Sequence, residues 1–279
     1  MQQKRVVAIH DISCLGKCSL TVALPIISAA GIETSVIPTA VLSTHTGGFG
    51  KNTFYSLADI LPSISEHWRE IGVSCDTVYT GYLGFGGEID AVREIVGHLC
   101  SRITKVIVDP VMADNGHLYR GFEPDYPKRM QRLCYMADII TPNVTEAALL
   151  TDTEYMAPPY TNKYIDALLK NLYEKFGASV VLTGVGFSEN ETGAAVFDGF
   201  NTVYKITEKA NAAFHGTGDI FSSVLTAAVV KGKKLCRAAE IAVDFTKDCI
   251  LNTLKYEREE RYGIVFETEI PLLIKYLES

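Results

Sequence analysis

The sequence lacks any long apolar run and any excess of positive charge. No window approaches the roughly 20 apolar residues that a membrane-spanning helix needs, although 47% of the 279 residues are hydrophobic. Lys and Arg number 26 against 33 Asp and Glu, so the formal net charge is -7. A negative chain is poorly suited to nonspecific nucleic-acid binding or to an anionic membrane surface. We therefore expect neither as a partner, although backbone amides could still bind a phosphate-bearing ligand.

A disulfide framework and a secretion leader are also missing from the pattern. The seven cysteines are odd in number and scattered, which favours reduced thiols. Cys14 and Cys18 form the one close pair, and no histidine pair with metal-ligand spacing accompanies them; simple thiols are favoured over zinc there. The first residues run into a strand-like stretch without a cleavage-site pattern. These features predict a cytoplasmic protein.

Apolar runs alternate with amphipathic stretches along most of the chain. Strands are predicted over Lys4–His10, Thr34–Leu42, Thr77–Thr80, Lys105–Asp109, Ala137–Ile140 and Ser179–Thr183. Helices are predicted over Ser19–Ala30, Thr53–Ile71, Glu88–Leu99, Thr145–Leu150, Tyr164–Phe176, Asp219–Val230 and Ala238–Leu254. Nearly continuous apolar strands between helices predict an α/β fold, with a mainly parallel sheet covered by helices on both faces.

Two later segments depart from this alternation. Gly193–Asp198 and Phe200–Ile206 flank Asp198-Gly199, which predicts an antiparallel hairpin at the sheet edge. Ala113–Pro127, here called the cover loop, is irregular and rich in Gly, Pro and aromatic residues. A loop of this length is often a lid over a site, and an ordinary surface excursion is the equal alternative. No repeat or linker interrupts the chain, so we expect a single domain over 1–279.

The segment Gly216-Thr217-Gly218-Asp219 precedes an apolar pattern at helical spacing. The glycines let the backbone turn sharply and approach a ligand closely. The following helix start aims several unpaired amides at one point, which makes an anion hole suited to a phosphoryl group. Asp219, in the first turn, could accept the proton of an attacking hydroxyl. The alternative is an Asp that only caps the helix.

Polar residues also follow three other predicted strands, namely Asp109, Thr141-Pro142-Asn143 with Glu146, and Thr183-Gly184. In open α/β sheets the ligand crevice lies at the carboxyl ends of the strands, so we expect these residues to converge on the rim that carries Asp219. Asn143 and Glu146 offer oxygen ligands for water around Mg²⁺. Their alternative role is simply to start a helix.

Six short motifs carry a family resemblance, and they span residues 4 to about 230. They are Ala8-Ile9-His10-Asp11, the segment 43–48, Thr80-Gly81-Tyr82, the Asp109 motif, Thr141-Pro142-Asn143 with Glu146, and the 216–219 loop. In this order they resemble the pyridoxal kinase group of the ribokinase-like superfamily. The resemblance implies a ribokinase-like three-layer sandwich. It also implies transfer of the ATP γ-phosphate to the 5′-hydroxymethyl group of pyridoxal, pyridoxine or pyridoxamine.

The resemblance further implies roles for individual residues. Asp219 would be the general base, and the phosphoryl group would be held by Gly216, Thr217 and Gly218. With Asp219, the pyridine pocket would be lined by Asp11, His45, Thr46, Gly47 and Tyr82, although a structural role for His45 is equally open. ATP would be bound by Asp109, Asp114, Thr141, Asn143, Glu146, Thr183 and Gly184 together with the loop glycines. Asn143 and Glu146 would hold Mg²⁺ through water, and a monovalent cation such as K⁺ is also allowed. The resemblance implies a homodimer. It also implies that the cover loop partly closes the site.

The sequence departs from this family pattern in one important place. Asp11 stands where pyridoxal kinases usually carry Ser, and Ser19-Leu20 stand where they carry Gly-Asn. Because an ionised Asp11 could pair with a protonated pyridine nitrogen or an amine, we hypothesise a preference for pyridoxamine or pyridoxine over pyridoxal. Hydroxymethylpyrimidine and sugar kinases remain alternatives. A nucleotide- or vitamer-binding sensor is the non-catalytic alternative, against which the intact Asp219 argues.

Overall fold

Strands and helices alternate along the chain in a computed structural model that describes residues 3–85, 88–210, 212 and 214–279. The strands are β1 (Arg5–Ser13), β2 (Glu33–Leu42), β3 (Phe54–Ser56), β4 (Thr77–Thr80), β5 (Lys105–Val108), β6 (Ala113–Asp114), β7 (His117–Leu118), β8 (Ile139–Ile140), β9 (Ser179–Thr183), β10 (Glu191–Phe197) and β11 (Thr202–Glu208). The helices are α1 (Leu20–Ala29), α2 (Leu61–Glu70), α3 (Glu88–Leu99), α4 (Tyr126–Cys134), α5 (Val144–Leu150), α6 (Asn162–Phe176), α7 (Thr217–Val230), α8 (Leu235–Thr253) and α9 (Ile270–Glu278).

A nine-stranded sheet organises the fold in the order β11-β10-β9-β8-β5-β4-β1-β2-β3. From β9 to β2 neighbouring strands run parallel, and these are the six strands predicted from the sequence. β10 and β11 run antiparallel at one edge, with Phe197 opposite Thr202 across a turn that contains Asp198-Gly199. The predicted parallel sheet and its antiparallel edge hairpin are therefore confirmed.

Apolar side chains cover both faces of this sheet. Within β1, Val7 joins the core cluster formed with α2 to α6, whereas Val6 joins the cluster formed with α1, α7, α8 and α9. Val106 and Ile107 divide between the same two clusters, as the two-residue period of a strand requires. The predicted three-layer sandwich is confirmed. In the part of the chain that the structure describes, no helix has the length and apolar character needed to cross a membrane.

The predicted helix over Thr53–Ile71 is wrong in its first half. Phe54–Ser56 instead form β3, which pairs antiparallel with Ala40–Leu42 of β2. The aromatic pair Phe54-Tyr55 suits an edge strand, and Phe54 packs its ring 4.4 Å from that of Phe85. The helix begins only at Leu61, with a proline in its first turn, where the fixed φ of proline is favourable.

Two helices and one hairpin lie outside the predicted elements. α4 and α9 each carry a proline in the first turn, a start signal that the sequence analysis did not use. The cover loop is not wholly irregular, because β6 and β7 form an antiparallel pair around Asn115-Gly116. Both of these turn residues have positive φ, 51° and 81°. Asn-Gly is the expected sequence for such a two-residue hairpin turn.

The order of the strands places a crevice beside β1. The chain pairs β1 with β2 on one side and with β4 on the other. Where strand order reverses in this way, the loops leaving the carboxyl ends separate and open a ligand crevice. The carboxyl ends of β1, β4, β5 and β8 and the start of α7 are therefore the place to look for a site.

Candidate active site

The start of α7 forms a loop that is tightly packed on one side and open on the other. Gly216 caps the helix with φ of 84°. A Cβ atom at Gly216 would lie 2.0 Å from the carbonyl oxygen of Lys17, whereas a Cβ at Gly218 would meet no atom within 4 Å. The first amides of a helix have no partner within the helix, and the partial positive charge there favours an anion. The start of α7 is therefore compatible with the predicted anion hole.

Asp219 lies in the first turn of α7 and is partly buried. The pKa of its carboxyl is raised from 3.8 to about 7, chiefly by burial; the Ser19 backbone amide lowers this pKa and the charge of Asp11 raises it. A carboxylate with a pKa near neutrality is both available and basic enough to accept a proton at pH 7. The chemistry predicted for Asp219 is thus compatible with its surroundings.

Asp11 lies within β1, which continues past the predicted end of the strand to Ser13. The pairing of β1 with β2 shifts register between His10 and Ile12, and such irregularities often re-aim a side chain beside a site. Asp11 is 2% exposed. Its Oδ2 accepts a 3.1 Å hydrogen bond from the Ser13 hydroxyl. Its Oδ1 has no partner among the described residues, and burial raises the pKa of this carboxyl to about 6.

Of the other residues predicted for the pyridine pocket, Tyr82 and Thr46 follow the expected strands. The Tyr82 ring centroid lies 5.6 Å from that of Phe122 in the cover loop, and the Tyr82 carbonyl accepts the Asp11 amide at 3.1 Å. Thr46 is exposed on the loop after β2. Gly47 lies against His215, because a Cβ there would be 2.3 Å from the imidazole Cε1.

His45 uses both ring nitrogens within the protein. Its Nδ1 accepts the Gly47 amide at 3.1 Å, and its Nε2 lies 2.7 Å from the carbonyl oxygen of Arg261. Since Nδ1 accepts, Nε2 carries the proton and donates it. Burial lowers the pKa of this imidazole, which keeps the ring neutral. Of the two roles considered for His45, the geometry favours the structural one.

Asp109 ends β5 beside two hydroxyl groups from different elements. The Thr141 Oγ1 lies 3.1 Å from the Ser222 Oγ, and both side chains are buried. Burial raises the pKa of Asp109, as do the charges of Glu146 and Asp219, while the two hydroxyls lower it. Ser222 was not predicted from the sequence. Its position three residues after Asp219 in a helix places both on one face of α7, which is the signal that could have identified it.

Asn143 and Glu146 form a complete capping box at the start of α5. The Asn143 Oδ1 accepts the Glu146 amide at 2.9 Å, and the Glu146 Oε2 accepts the Asn143 amide at 2.9 Å. The Glu146 Oε1 also accepts the amides of Met112 at 2.9 Å and Ala113 at 3.4 Å. Burial raises the pKa of Glu146 to about 8 despite these amide donors. The helix-start alternative is thus realised.

The remaining nucleotide-side predictions divide into two groups. Thr183 ends β9, and its hydroxyl lies 3.4 Å from the Pro142 carbonyl oxygen. The backbone of Thr183 also pairs with that of Asn143 in an isolated parallel β-bridge. Gly184 follows with φ of 73° and open space where a Cβ would stand. Asp114, by contrast, is exposed on the cover-loop hairpin, and its two oxygens accept the amide and side chain of Asn115 at 2.8 Å and 3.0 Å. The charge of Asp114 raises the pKa of Glu146.

The carboxylates fit a magnesium ion that is bound partly through water. Asp109, Asp219 and Glu146 carry raised pKa values because they are buried and because negative charge lies nearby, and a cation would relieve this repulsion. Within the described ranges, no group of three or more His, Cys, Asp or Glu side chains could hold a metal by itself. Mg²⁺ commonly keeps several waters and binds one or two carboxylates plus substrate phosphates.

A C-terminal segment, Arg261–Gly263, contacts the loops that carry His45, Gly48, Lys17 and His215. This segment was not predicted from the sequence. The Arg261 carbonyl oxygen lies 2.7 Å from the His45 Nε2. A Cβ atom built on Gly48 would lie 2.8 Å from the Arg261 Cβ. A Cβ on Gly263 would lie 3.0 Å from the Lys17 Cβ and 3.2 Å from the His215 carbonyl oxygen. Cys18, also unpredicted, lies near Asp219 and Asp11, and burial together with their charges raises its pKa.

Known proteins share both the sequence and the fold. A family model described as phosphomethylpyrimidine kinase matches residues 25–263. A Bacteroides thetaiotaomicron structure, named "putative phosphomethylpyrimidine kinase" and obtained with pyridoxal, has a TM-score of 0.92 at 34% identity and covers 98% of this chain and 96% of its own. The pyridoxal kinase of Lactobacillus plantarum has a TM-score of 0.91 at 28% identity, with 99% of each chain covered. A hydroxymethylpyrimidine/phosphomethylpyrimidine kinase of Bacillus subtilis is 28% identical, over 79% of this chain and 78% of its own.

The two loop glycines should respond differently to a methyl group. We expect Gly216→Ala to reduce the free energy of unfolding by about 1–3 kcal/mol, because a positive φ and a backbone clash must both be accommodated. Gly218→Ala, its matched control in open space, should leave stability unchanged or slightly raised, since Ala is the better helix residue. Urea unfolding of both variants measures this, and equal losses would contradict the packing described here.

The raised pKa of Asp219 should make this site destabilising at high pH. The carboxyl ionises near 3.8 when solvated and near 7 in the fold. Its contribution to stability is therefore present below about pH 4 and is lost as pH rises through about 7. Asp219→Asn should melt at a higher temperature than the wild type at pH 8, and the gain should shrink toward pH 5. Calorimetry across this range, with the exposed Asp59→Asn as control, tests the sign; a gain independent of pH would refute it.

Proposed function

The chain belongs to the phosphomethylpyrimidine kinase family of small-molecule kinases, and on that premise we propose that it phosphorylates the 5′-hydroxymethyl group of a vitamin B6 vitamer from ATP. The observation that carries the proposal is the open space beside Gly218 at the start of α7, with Asp219 in the same helical turn. The base and the phosphoryl site are thus adjacent, as an in-line transfer to a hydroxyl requires.

In the proposed reaction, the Asp219 carboxylate accepts the proton of the vitamer hydroxyl while the hydroxyl oxygen forms a bond to the γ-phosphorus. The bond from that phosphorus to the β–γ bridging oxygen breaks, and ADP leaves with the electron pair. Backbone amides at residues 216–218 stabilise the charge on the transferring phosphoryl group. Magnesium, when bound, supplies positive charge to the phosphates, and Asp109, Asn143 and Glu146 would hold it through water. Asp114, Thr141, Thr183 and Gly184 would serve the nucleotide.

The choice of a B6 vitamer rests on residues at the other end of the crevice. Tyr82 and Asp11 lie together, and Asp11 offers a buried, unpartnered oxygen that suits a cationic pyridine or amine. The Bacteroides protein obtained with pyridoxal supports the same ligand class. Hydroxymethylpyrimidine is the second candidate, because the family description and the Bacillus relative both name pyrimidine kinases.

The wider organisation of the protein is proposed on more general grounds. Both apolar layers share one nine-stranded sheet, which supports a single domain over 1–279. All seven cysteines are free, which suits the cytoplasm. The edge strand β3 exposes Tyr55, and such an edge could pair in the homodimer that the resemblance implies. A role for K⁺ rests on the resemblance alone.

Removing the proposed base should separate a kinase from a sensor. Asp219→Asn should lower kcat by about 10²–10⁴-fold with ATP and vitamer binding largely retained. ADP release and isothermal titration of each ligand measure the two effects, with Asp59→Asn again as the control. An unchanged rate would rule out Asp219 as the base, and full binding without turnover by the wild type would favour the sensor.

Asp11 should set the vitamer preference. We expect higher kcat/KM for pyridoxamine or pyridoxine than for pyridoxal, and Asp11→Ser should narrow the difference by removing the charge that attracts a cation. Because the charge of Asp11 raises the pKa of Asp219, the same variant should move the rising limb of the kcat–pH profile to lower pH. Assays across the three vitamers, hydroxymethylpyrimidine and ribose test this. A strong pyridoxal preference by the wild type would refute it, and sole activity on hydroxymethylpyrimidine would select the second candidate.

A further inference from the structure

The first turn of α5 is fastened to the root of the cover loop by side-chain hydrogen bonds. Glu146 accepts the amides of Met112 and Ala113, and the Asn143 Nδ2 donates to the Ala113 carbonyl oxygen at 2.7 Å. A fourth bond runs from the Gly116 amide to the Thr145 Oγ1 at 3.0 Å. Three side chains within one helical turn therefore bind successive parts of the β6–β7 hairpin.

Thr145 makes the contact that depends least on nucleotide chemistry. Thr145 is only 3% exposed, and its hydroxyl accepts a hydrogen bond from the Gly116 amide in the turn of the hairpin. Gly116 has φ of 81°, and a Cβ there would lie 2.8 Å from the Tyr155 ring. The turn is thus held between the hydroxyl of Thr145 and the ring of Tyr155, and a missing acceptor would leave its amide unsatisfied.

Beyond the hairpin, the cover loop crosses to the proposed vitamer end of the crevice. The Phe122 ring centroid lies 4.1 Å from that of Tyr126 and 5.9 Å from that of Phe85, besides its contact with Tyr82. Gly121 also packs closely on Phe85, since a Cβ there would be 2.5 Å from the ring. The loop therefore has a polar, hydrogen-bonded root and an aromatic tip.

We propose that Thr145 is a positioning residue, which fixes the hairpin root so that the aromatic tip closes over the reacting groups and excludes water. The inference rests on the proposed function, because the tip must cover a phosphoryl acceptor. With the root released, water would compete with the vitamer hydroxyl for the γ-phosphate. Thr145 touches neither substrate in this role, and acts only through the backbone at Gly116.

The test compares Thr145→Val, which keeps the shape and removes the acceptor, with Thr145→Ser, which keeps the acceptor. In Thr145→Val we expect amide hydrogen exchange over residues 113–118 of the ligand-free protein to rise about tenfold, as loss of one buried hydrogen bond implies. We also expect ATP hydrolysis without vitamer to rise several-fold and the KM for vitamer to increase. The Mg²⁺ concentration for half-maximal rate should stay unchanged, and Thr145→Ser should restore all of these values.

Two outcomes would overturn the inference. Exchange over residues 113–118 that is unaltered in Thr145→Val would show that the hydroxyl does not hold the hairpin. A changed Mg²⁺ requirement with unaltered hydrolysis would assign this turn to the metal instead. Hydrogen exchange needs no substrate, so a wild type that phosphorylates no vitamer would refute the proposed function while the fastening of the hairpin is still decided.

Discussion

The burial of carboxyl groups close to one another is the constraint on which this crevice depends. Four carboxyl groups lie along it: Asp11 and Asp109 on β1 and after β5, and Asp219 and Glu146 in the first turns of α7 and α5. The charge of Asp11 raises the pKa of Asp219, and the charges of Asp219 and Glu146 raise that of Asp109. Burial makes all four groups harder to ionise, and neighbouring negative charge adds to this effect for Asp219, Asp109 and Glu146.

The hydrogen bonds that stabilise these carboxyl groups are unevenly distributed, and the two ends of the crevice differ in this respect. Glu146 receives three backbone amides, whereas Asp11 receives one hydroxyl and keeps an oxygen without a partner in the described chain. At the proposed nucleotide end, the fold thus supplies hydrogen bonds to Glu146. At the proposed vitamer end, Asp11 keeps an oxygen that a ligand bringing positive charge would satisfy.

The local sequence pattern predicted the parallel sheet and the 216–219 loop, because consecutive residues are enough to identify a buried strand and a glycine-rich helix start. It failed where structure depends on distant partners. Phe54 forms a strand because β2 and Phe85 lie beside it, and His45 is bound to a carbonyl 216 residues away. The hairpin at Asn115-Gly116 and the hydroxyl of Ser222 were within reach, since a turn dipeptide and helical spacing signal them. The contacts of Arg261–Gly263 with the site loops could not be predicted in this way, because no local sequence pattern indicates them.

In the proposed reaction, Asp11 would link the charge of the substrate to the ionisation of Asp219, the proposed base. Its own pKa of about 6 leaves it mostly ionised at neutral pH, and in that form it holds the pKa of Asp219 up. A cation bound at Asp11 would cancel that charge, so the pKa of Asp219 would fall and the base would be more completely ionised once such a substrate is in place. A neutral ring would leave the repulsion intact and part of the base protonated. In the proposed reaction, the residue that departs most from the family pattern would therefore act twice, on binding and on the proton transfer that follows.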